Sequence, residues 1–243
     1  MPAYNIEKTL ELTVSGVPKN VVDEILVIND ASQDNTVAIA KKLNVVLITH
    51  QKNIGYGGAQ KTGYTEALAR GADIIVMLHG DFQYDPTLVP LIIAPLVSGT
   101  ADACFGSRLH SKSSNAKGMP WWRFVANIAL SRFEEIVFHL GLSEYHTGYR
   151  AYTSEVLRSI PFHLNSDNYV FDSEIIAQIA SGGFRVAEIP IPIRYEKDSQ
   201  SPNFLKSTQY GLMTLIVVVK YLLHRLHIKT CIQFVIARRG SAA

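Results

Sequence analysis

The chain has 243 residues, 47% of them hydrophobic and 18% charged, with a formal net charge of +2. This length holds one large α/β domain with a sizeable core, and this balance excludes extensive disorder. The small net charge excludes bulk nucleic-acid binding, so no nucleic-acid partner is expected. Cys104 and Cys231 match no metal or redox spacing, and residues 1–5 have neither the basic start nor the apolar run of a signal peptide. A reduced, cytoplasmic setting follows.

Residues 1–5 read as the loop after an opening strand, so the first strand of an α/β sheet is expected to be missing. Residues 24–28 form a short apolar run ending at Asn29-Asp30, bounded like a buried parallel strand. Helical spacing follows over residues 36–43, then a strand over 45–49 and a helix over 57–70. A third strand over 73–78 runs into the polar loop from His79 to Asp85, and Pro86 opens the next helix. Residues 101–105 make a fourth strand. Strand-helix repetition predicts a mainly parallel sheet covered on both faces, with ligands at the carboxyl ends of the strands.

The polar clusters fall at those ends. Asp30, at a strand tip, suits either a nucleoside base or ribose, while Ser32 and Asp34 suit a helix cap. The stretch from His50 to Gly58 carries glycines before a helix, where backbone approaches closely and the helix N-terminus attracts anions, with Lys52 or Lys61 adding charge. In the loop from His79 to Asp85, alternate residues project to one side, so His79, Asp81 and Gln83 could face one Mg²⁺ or Mn²⁺ ion completed by a diphosphate. An imidazole donor suits Mn²⁺ better. Asp85 is a candidate cap for the Pro86 helix. Arg108 and Arg150 suit bidentate phosphate recognition, and His146 is either a general base or a polar turn residue.

Farther on, residues 120–142 predict a long helix, 170–180 another, and 184–193 a strand marked as edge or irregular by Pro190 and Pro192. A final helix spans 203–228. Its apolar run, residues 212–223, is interrupted by Lys220 and falls short of the ~20 residues that span a bilayer. No Asp or Glu follows Asp198, whereas Lys206, Lys220, Arg225, Lys229, Arg238 and Arg239 do. The expected division is a catalytic domain over 1–200 and a helical, membrane-surface extension over 201–243, drawn to anionic lipid.

In order, the stretches Pro2–Asn5, Val27–Thr36, Asn53–Gly57, His79–Gln83, Gly106–Arg108 and Thr147–Tyr152 resemble family 2 glycosyltransferases of the GT-A fold. The likeness is strongest to dolichol-phosphate mannosyltransferases and polyprenyl-phosphate glycosyltransferases, and Phe171–Glu174 and Glu188–Ile191 extend it to about residue 195. The resemblance implies that Pro2, Tyr4 and Asp30 line a nucleoside pocket, with Asn5, Lys52, Asn53 and Gly57 beside them. It implies that Asp81 and Gln83 hold a cation on the diphosphate, and that Arg108 and Arg150 meet acceptor or diphosphate. His79 stands where the family's metal motif has its first Asp. The implied reaction moves a hexose from GDP-mannose or a UDP-sugar to a polyprenyl or dolichyl phosphate, with inversion, on the inner face of a membrane. A non-catalytic or decayed sugar-nucleotide module is the alternative reading. Oligomeric state is left open.

Overall fold

The computed structural model describes residues 1–109, 121–192 and 204–236. The strands form two sheets. In the first, β1 (Pro2–Ala3), β2 (Leu26–Asn29) and β3 (Val46–Thr49) pair in that order, all parallel. In the second, β4 (Ile74–Met77), β6 (Arg150–Thr153), β5 (Ala103–Ser107) and β7 (Val186–Pro190) lie in that spatial order. There β6 runs antiparallel to both neighbours, while β7 is parallel to β5.

Two expectations change here. The first strand is not missing: Pro2 and Ala3 pair with Ile28 and Asn29. The sheet is also less uniformly parallel than strand-helix repetition suggested, because β6 inserts between β4 and β5. Its sequence, Arg-Ala-Tyr-Thr, opens with a charged residue and lacks an apolar run, so it was not legible as a buried strand. Among the described residues β7 pairs only with β5, an edge position where Pro190 is tolerated.

The helices α1 (Leu10–Gly16), α2 (Thr36–Ala40), α3 (Tyr56–Ala69), α4 (Val89–Val97), α5 (Trp121–Phe138), α6 (Ser154–Ser159), α7 (Phe171–Gly182) and α8 (Phe204–Arg225) cover the sheets. Asp85 accepts from the Thr87 backbone N–H at 3.0 Å and caps the 3₁₀ turn that leads into α4, as expected. The largest core gathers Phe105, Tyr152, Phe171, Ile175 and Ile176 with Val217, Val218 and Tyr221 of α8, and with Phe234 beyond it. Residues 204–236 are therefore bound into the domain by core packing. Arg238 and Arg239 lie outside the described residues, as does the expected boundary at 200–201.

Glycine sets one close approach that the site depends on. A Cβ on Gly57 would stand 2.3 Å from the Ser166 carbonyl oxygen and 2.8 Å from Phe171 Cβ, so the start of α3 is pressed against the segment before α7. We expect Gly57→Ala to destabilise the fold by about 1–3 kcal/mol through overpacking. Thermal melting checks this: the midpoint should fall by several degrees, and an unchanged midpoint would show that this contact is loose.

Candidate functional site

The carboxyl ends of β1, β2, β3, β4 and β5 carry Tyr4-Asn5, Asp30, His50, His79-Asp81 and Arg108 respectively. The tips are laced together. Asn5 N–H donates to Ser32 Oγ at 2.9 Å, Ile6 N–H to Thr36 Oγ1 at 2.9 Å, and Glu7 N–H to Asp34 Oδ2 at 3.0 Å. Asn5 Oδ1 in turn accepts from Gln33 N–H at 2.8 Å, with Asn5 at φ +51°. Pro2 is part of β1, and Tyr4 is 44% exposed beside these loops.

Asp30 is buried, and both carboxylate oxygens are engaged. Oδ1 meets His50 Nδ1 at 2.8 Å and Ile54 N–H at 2.9 Å, and Oδ2 accepts from Gly55 N–H at 2.9 Å. Asn53 Nδ2 donates to the Asp30 carbonyl at 3.2 Å. Asp30 and Asn53 thus pin the glycine-bearing loop to β2. The start of α3 is not open to an anion, contrary to expectation: the Asp167 carbonyl accepts from Gly57 N–H at 2.8 Å and Gly58 N–H at 3.3 Å. Lys61 is bound there too, to the Asn165 carbonyl and, at 2.8 Å, to Asp167 Oδ1. Lys52 stays exposed on the loop.

Both arginines expected at phosphate are engaged within the protein, and Arg150 is buried as well. Arg150 is wholly buried, with Nε donating to the Thr147 carbonyl at 2.6 Å and NH1 to the Asp172 carbonyl at 3.1 Å, while NH1 lies 3.3 Å from Asp172 Oδ1. Its guanidinium also sits 5.4 Å from the Phe105 ring centroid. Arg150 is a core cation, with its guanidinium bound by protein groups. Arg108 is committed as well: its backbone N–H donates to Glu144 Oε2 at 2.7 Å, Nε to Glu144 Oε1 at 2.6 Å, and NH2 to the His146 carbonyl at 2.9 Å. Burial alone would raise the Glu144 carboxyl. The Arg108 charge and these hydrogen bonds outweigh it and hold the group below its ordinary range.

His146 belongs to a buried cluster, not to an open base position. Nδ1 lies 2.9 Å from Tyr210 OH, and Nε2 lies 3.0 Å from Glu134 Oε2. That second contact misses hydrogen-bond geometry, and the buried Glu134 carboxylate has no hydrogen bond among the described residues. His146 keeps 10% side-chain exposure, little for a group meant to take a proton from an acceptor.

His79 and Asp81 form the remaining polar pair. Asp81 Oδ1 accepts from Gln83 N–H at 3.1 Å across a bend in which Phe82 takes φ +60°. Its Oδ2 has no hydrogen bond among the described residues. His79 Nε2 lies 3.0 Å from Tyr56 OH, whose proton goes to Asp172 Oδ2 at 3.0 Å. Burial pushes the His79 imidazole below its ordinary range, against the opposing charges of Asp81 and Asp172. Among the described residues, Asp81 Oδ2, His79 Nδ1 and the Gln83 side-chain amide have no hydrogen-bond partner; they share one short loop, a hard-oxygen and imidazole donor set that fits Mg²⁺ or Mn²⁺. Among the described residues no three His, Cys, Asp or Glu side chains converge to hold a metal ion, so such a cation needs oxygens from a bound diphosphate. Sequence reasoning overlooked Tyr56, Gln60 and Asp172. Two acids, Asp172 and Glu174, in the first turn of the otherwise apolar helix α7 were the available signal.

A layered α/β domain with its polar groups at the strand tips is the layout of many ligand-binding α/β folds, and the sequence comparisons say which one this is. Residues 1–160 match Glycosyl transferase family 2, and the chain belongs to that family. It is a GT-A glycosyltransferase. An undecaprenyl-phosphate mannosyltransferase of Micrococcus luteus is 30% identical over 198 residues, covering 79% of this chain and 80% of the relative. A UDP-N-acetylglucosamine–dolichyl-phosphate N-acetylglucosaminyltransferase of Methanococcus voltae is 28% identical, covering 83% and 86%. In fold, the chain is similar to glucosyl-3-phosphoglycerate synthase of Mycobacterium tuberculosis bound to Mn²⁺, UDP and glucosyl-3-phosphoglycerate, with TM-score 0.69 and 19% identity over 94% of this chain and 78% of that one.

Removing the buried cation separates a structural role from a catalytic one. We expect Arg150→Met to cost about 3–5 kcal/mol, because Asp172 is left buried and unpaired. The chemical denaturation midpoint should fall steeply. A variant with a wild-type midpoint and selective loss of donor binding would restore Arg150 to the active site.

Proposed function

We propose that this enzyme transfers a hexose from a nucleoside diphosphate sugar to a polyprenyl phosphate at a membrane surface. The reading rests above all on Asp81, which stands at the tip of β4 with one carboxylate oxygen uncommitted, beside the nucleoside-side residues Pro2, Tyr4, Asn5 and Asp30. Tyr4 offers an exposed ring for the base, while Asp30 and Asn53 act from beneath by fixing the loop that carries Lys52. Asp81, with His79 and Gln83, would hold Mg²⁺ or Mn²⁺ on the diphosphate. When bound, that cation offsets the charge that builds on the departing nucleoside diphosphate.

The acceptor oxygen attacks the anomeric carbon as the bond to the diphosphate breaks, and the nucleoside diphosphate leaves with the electron pair. One such displacement inverts the anomeric centre. A phosphate acceptor supplies its own anionic oxygen, since the second pKa of a phosphate monoester is about 6. The burial of His146 and the capture of Glu144 by Arg108 support an acceptor that needs no base. The names of the relatives from M. luteus and M. voltae point to the same acceptor class.

Among the described residues no helix is long and apolar enough to cross a membrane. Instead α8 exposes Leu212, Leu215, Ile216 and Val219 on one face, and α5 exposes Val125, Phe133 and Ile136. Exposed Lys220, Arg225 and Lys229 accompany them, a pairing suited to lying on anionic lipid. Because Tyr221 and Phe234 are core residues, removing everything from Lys220 onward would damage the fold as well as the surface.

Release of nucleoside diphosphate from GDP-mannose, UDP-glucose and UDP-GlcNAc, with polyprenyl phosphate and Mn²⁺ or Mg²⁺, tests the chemistry. Turnover of one donor that needs lipid and metal and falls at least 100-fold in Asp81→Ala is expected, the scale of losing a group that stabilises transition-state charge. Full activity in Asp81→Ala would remove Asp81 from the site. For the surface, Ile216→Glu with Val219→Glu should abolish co-sedimentation with anionic vesicles while leaving the melting midpoint in place. Undiminished binding by that folded variant would sink the proposed face.

A further inference from the structure

Tyr56 and Asp172 lie beneath the metal loop without being part of it, and their hydrogen bonds fix a proton. Asp172 pairs with Arg150, 3.3 Å away, and accepts from Gln60 Nε2 at 3.1 Å. A carboxylate only accepts, so Tyr56 OH spends its single proton on Asp172 Oδ2 at 3.0 Å. The Tyr56 oxygen can then only accept from His79 Nε2, also 3.0 Å away. His79 must therefore carry its proton on Nε2. Neighbouring contacts keep the ring in this orientation: it lies edge-on to Tyr56 and Tyr84, and a Cβ on Gly148 would stand 2.5 Å from Nε2. Nδ1 is left with its lone pair and no hydrogen-bond partner among the described residues.

We propose that Asp172 and Tyr56 are positioning residues which, through this fixed tautomer, present His79 Nδ1 as a nitrogen ligand and so make the site prefer Mn²⁺ over Mg²⁺. The proposal rests on the reading of the Asp81 loop as a cation site and adds the reason for its selectivity. A first position occupied by Asp would offer a second hard oxygen, which Mg²⁺ takes as readily as Mn²⁺. An imidazole held by a second group binds more tightly than a free one, and losing such a partner typically costs 10–100-fold in metal affinity. Because Tyr56→Phe deletes one oxygen and keeps the ring that stacks on Tyr169, it cuts the relay and spares the packing.

The test combines ¹⁵N NMR of histidine-labelled, metal-free protein with Mn²⁺ binding read by electron paramagnetic resonance in the presence of GDP or UDP, and Mg²⁺ as competitor. His79 is assigned by its absence in His79→Gln. In wild type we expect Nε2 protonated and Nδ1 bare. In Tyr56→Phe both tautomers should appear, with Mn²⁺ affinity down about tenfold and Mg²⁺ affinity unchanged. A proton on Nδ1 in wild type overturns the proposal, as does an unchanged Mn²⁺ to Mg²⁺ ratio in Tyr56→Phe. No Mn²⁺ binding at all also overturns it. The two readings fail separately. Mn²⁺ binding that survives Asp81→Ala removes the cation site from this loop whatever the tautomer, whereas Mn²⁺ binding that needs Asp81 and ignores Tyr56 removes only the relay.

Discussion

A guanidinium with no access to water has to be satisfied by the protein around it, and Arg150 imposes that demand on the centre of this domain. Leaving such a charge unpaired in the interior would cost several kcal/mol, so the carbonyls of Tyr145 and Thr147 and both polar ends of Asp172 are drawn to it. Asp172 opens α7, Thr147 belongs to the turn before β6, and Phe105 of β5 lies under the guanidinium. One buried ion pair therefore fixes the position of β6, the turn before it and the start of α7. Through Tyr56 and Gln60 it also fixes α3, and through Tyr56 it reaches the loop at the tip of β4. The site is rigid where it meets the core and open where it meets solvent.

This constraint changes where positive charge is available. Arg150 is inside, Arg108 is clamped by Glu144, and Lys61 is bound to the segment before α7. The sequence suggested a phosphate role for the two arginines and added charge at the start of α3 for Lys61. Among the described residues only Lys52 of the expected cationic contacts remains exposed on the nucleotide side. On the proposed reading, a divalent cation at Asp81 would carry more of the work of offsetting diphosphate charge. A transferase of this design would depend on its metal more steeply than one with a free arginine pair.

Much of the fold was legible in the sequence. Apolar runs that stop at a polar cluster mark β2, β3, β4 and β5, and helical spacing marks α3, α5, α7 and α8. The strand tips gather the polar clusters that the sequence singled out, Asp81, Tyr4 and Asn5 among them, with Lys52 on the loop after β3. What sequence could not give was the consequence of burial. Nothing in Thr-Gly-Tyr-Arg says that its arginine turns inward, because the carboxylate that receives it lies 22 residues away. β6 escaped notice for the same reason, since it opens with that arginine. Pro2-Ala3 is too short to show a strand period, and only pairing with β2 identifies it. Tyr56 was read as part of a glycine-bearing turn, whereas its hydroxyl joins two distant loops.

The central claim is that the enzyme serves an acceptor which brings its own anionic oxygen, so that no side chain near the acceptor has to remove a proton. Transfer to a polyprenyl phosphate and to the matching polyprenol, measured with the same donor and cation on anionic vesicles, tests it most directly. The account predicts transfer to the phosphate and none to the alcohol. Comparable transfer to the alcohol would contradict it, because a neutral hydroxyl requires a general base, and the acceptor side would then have to be built around one.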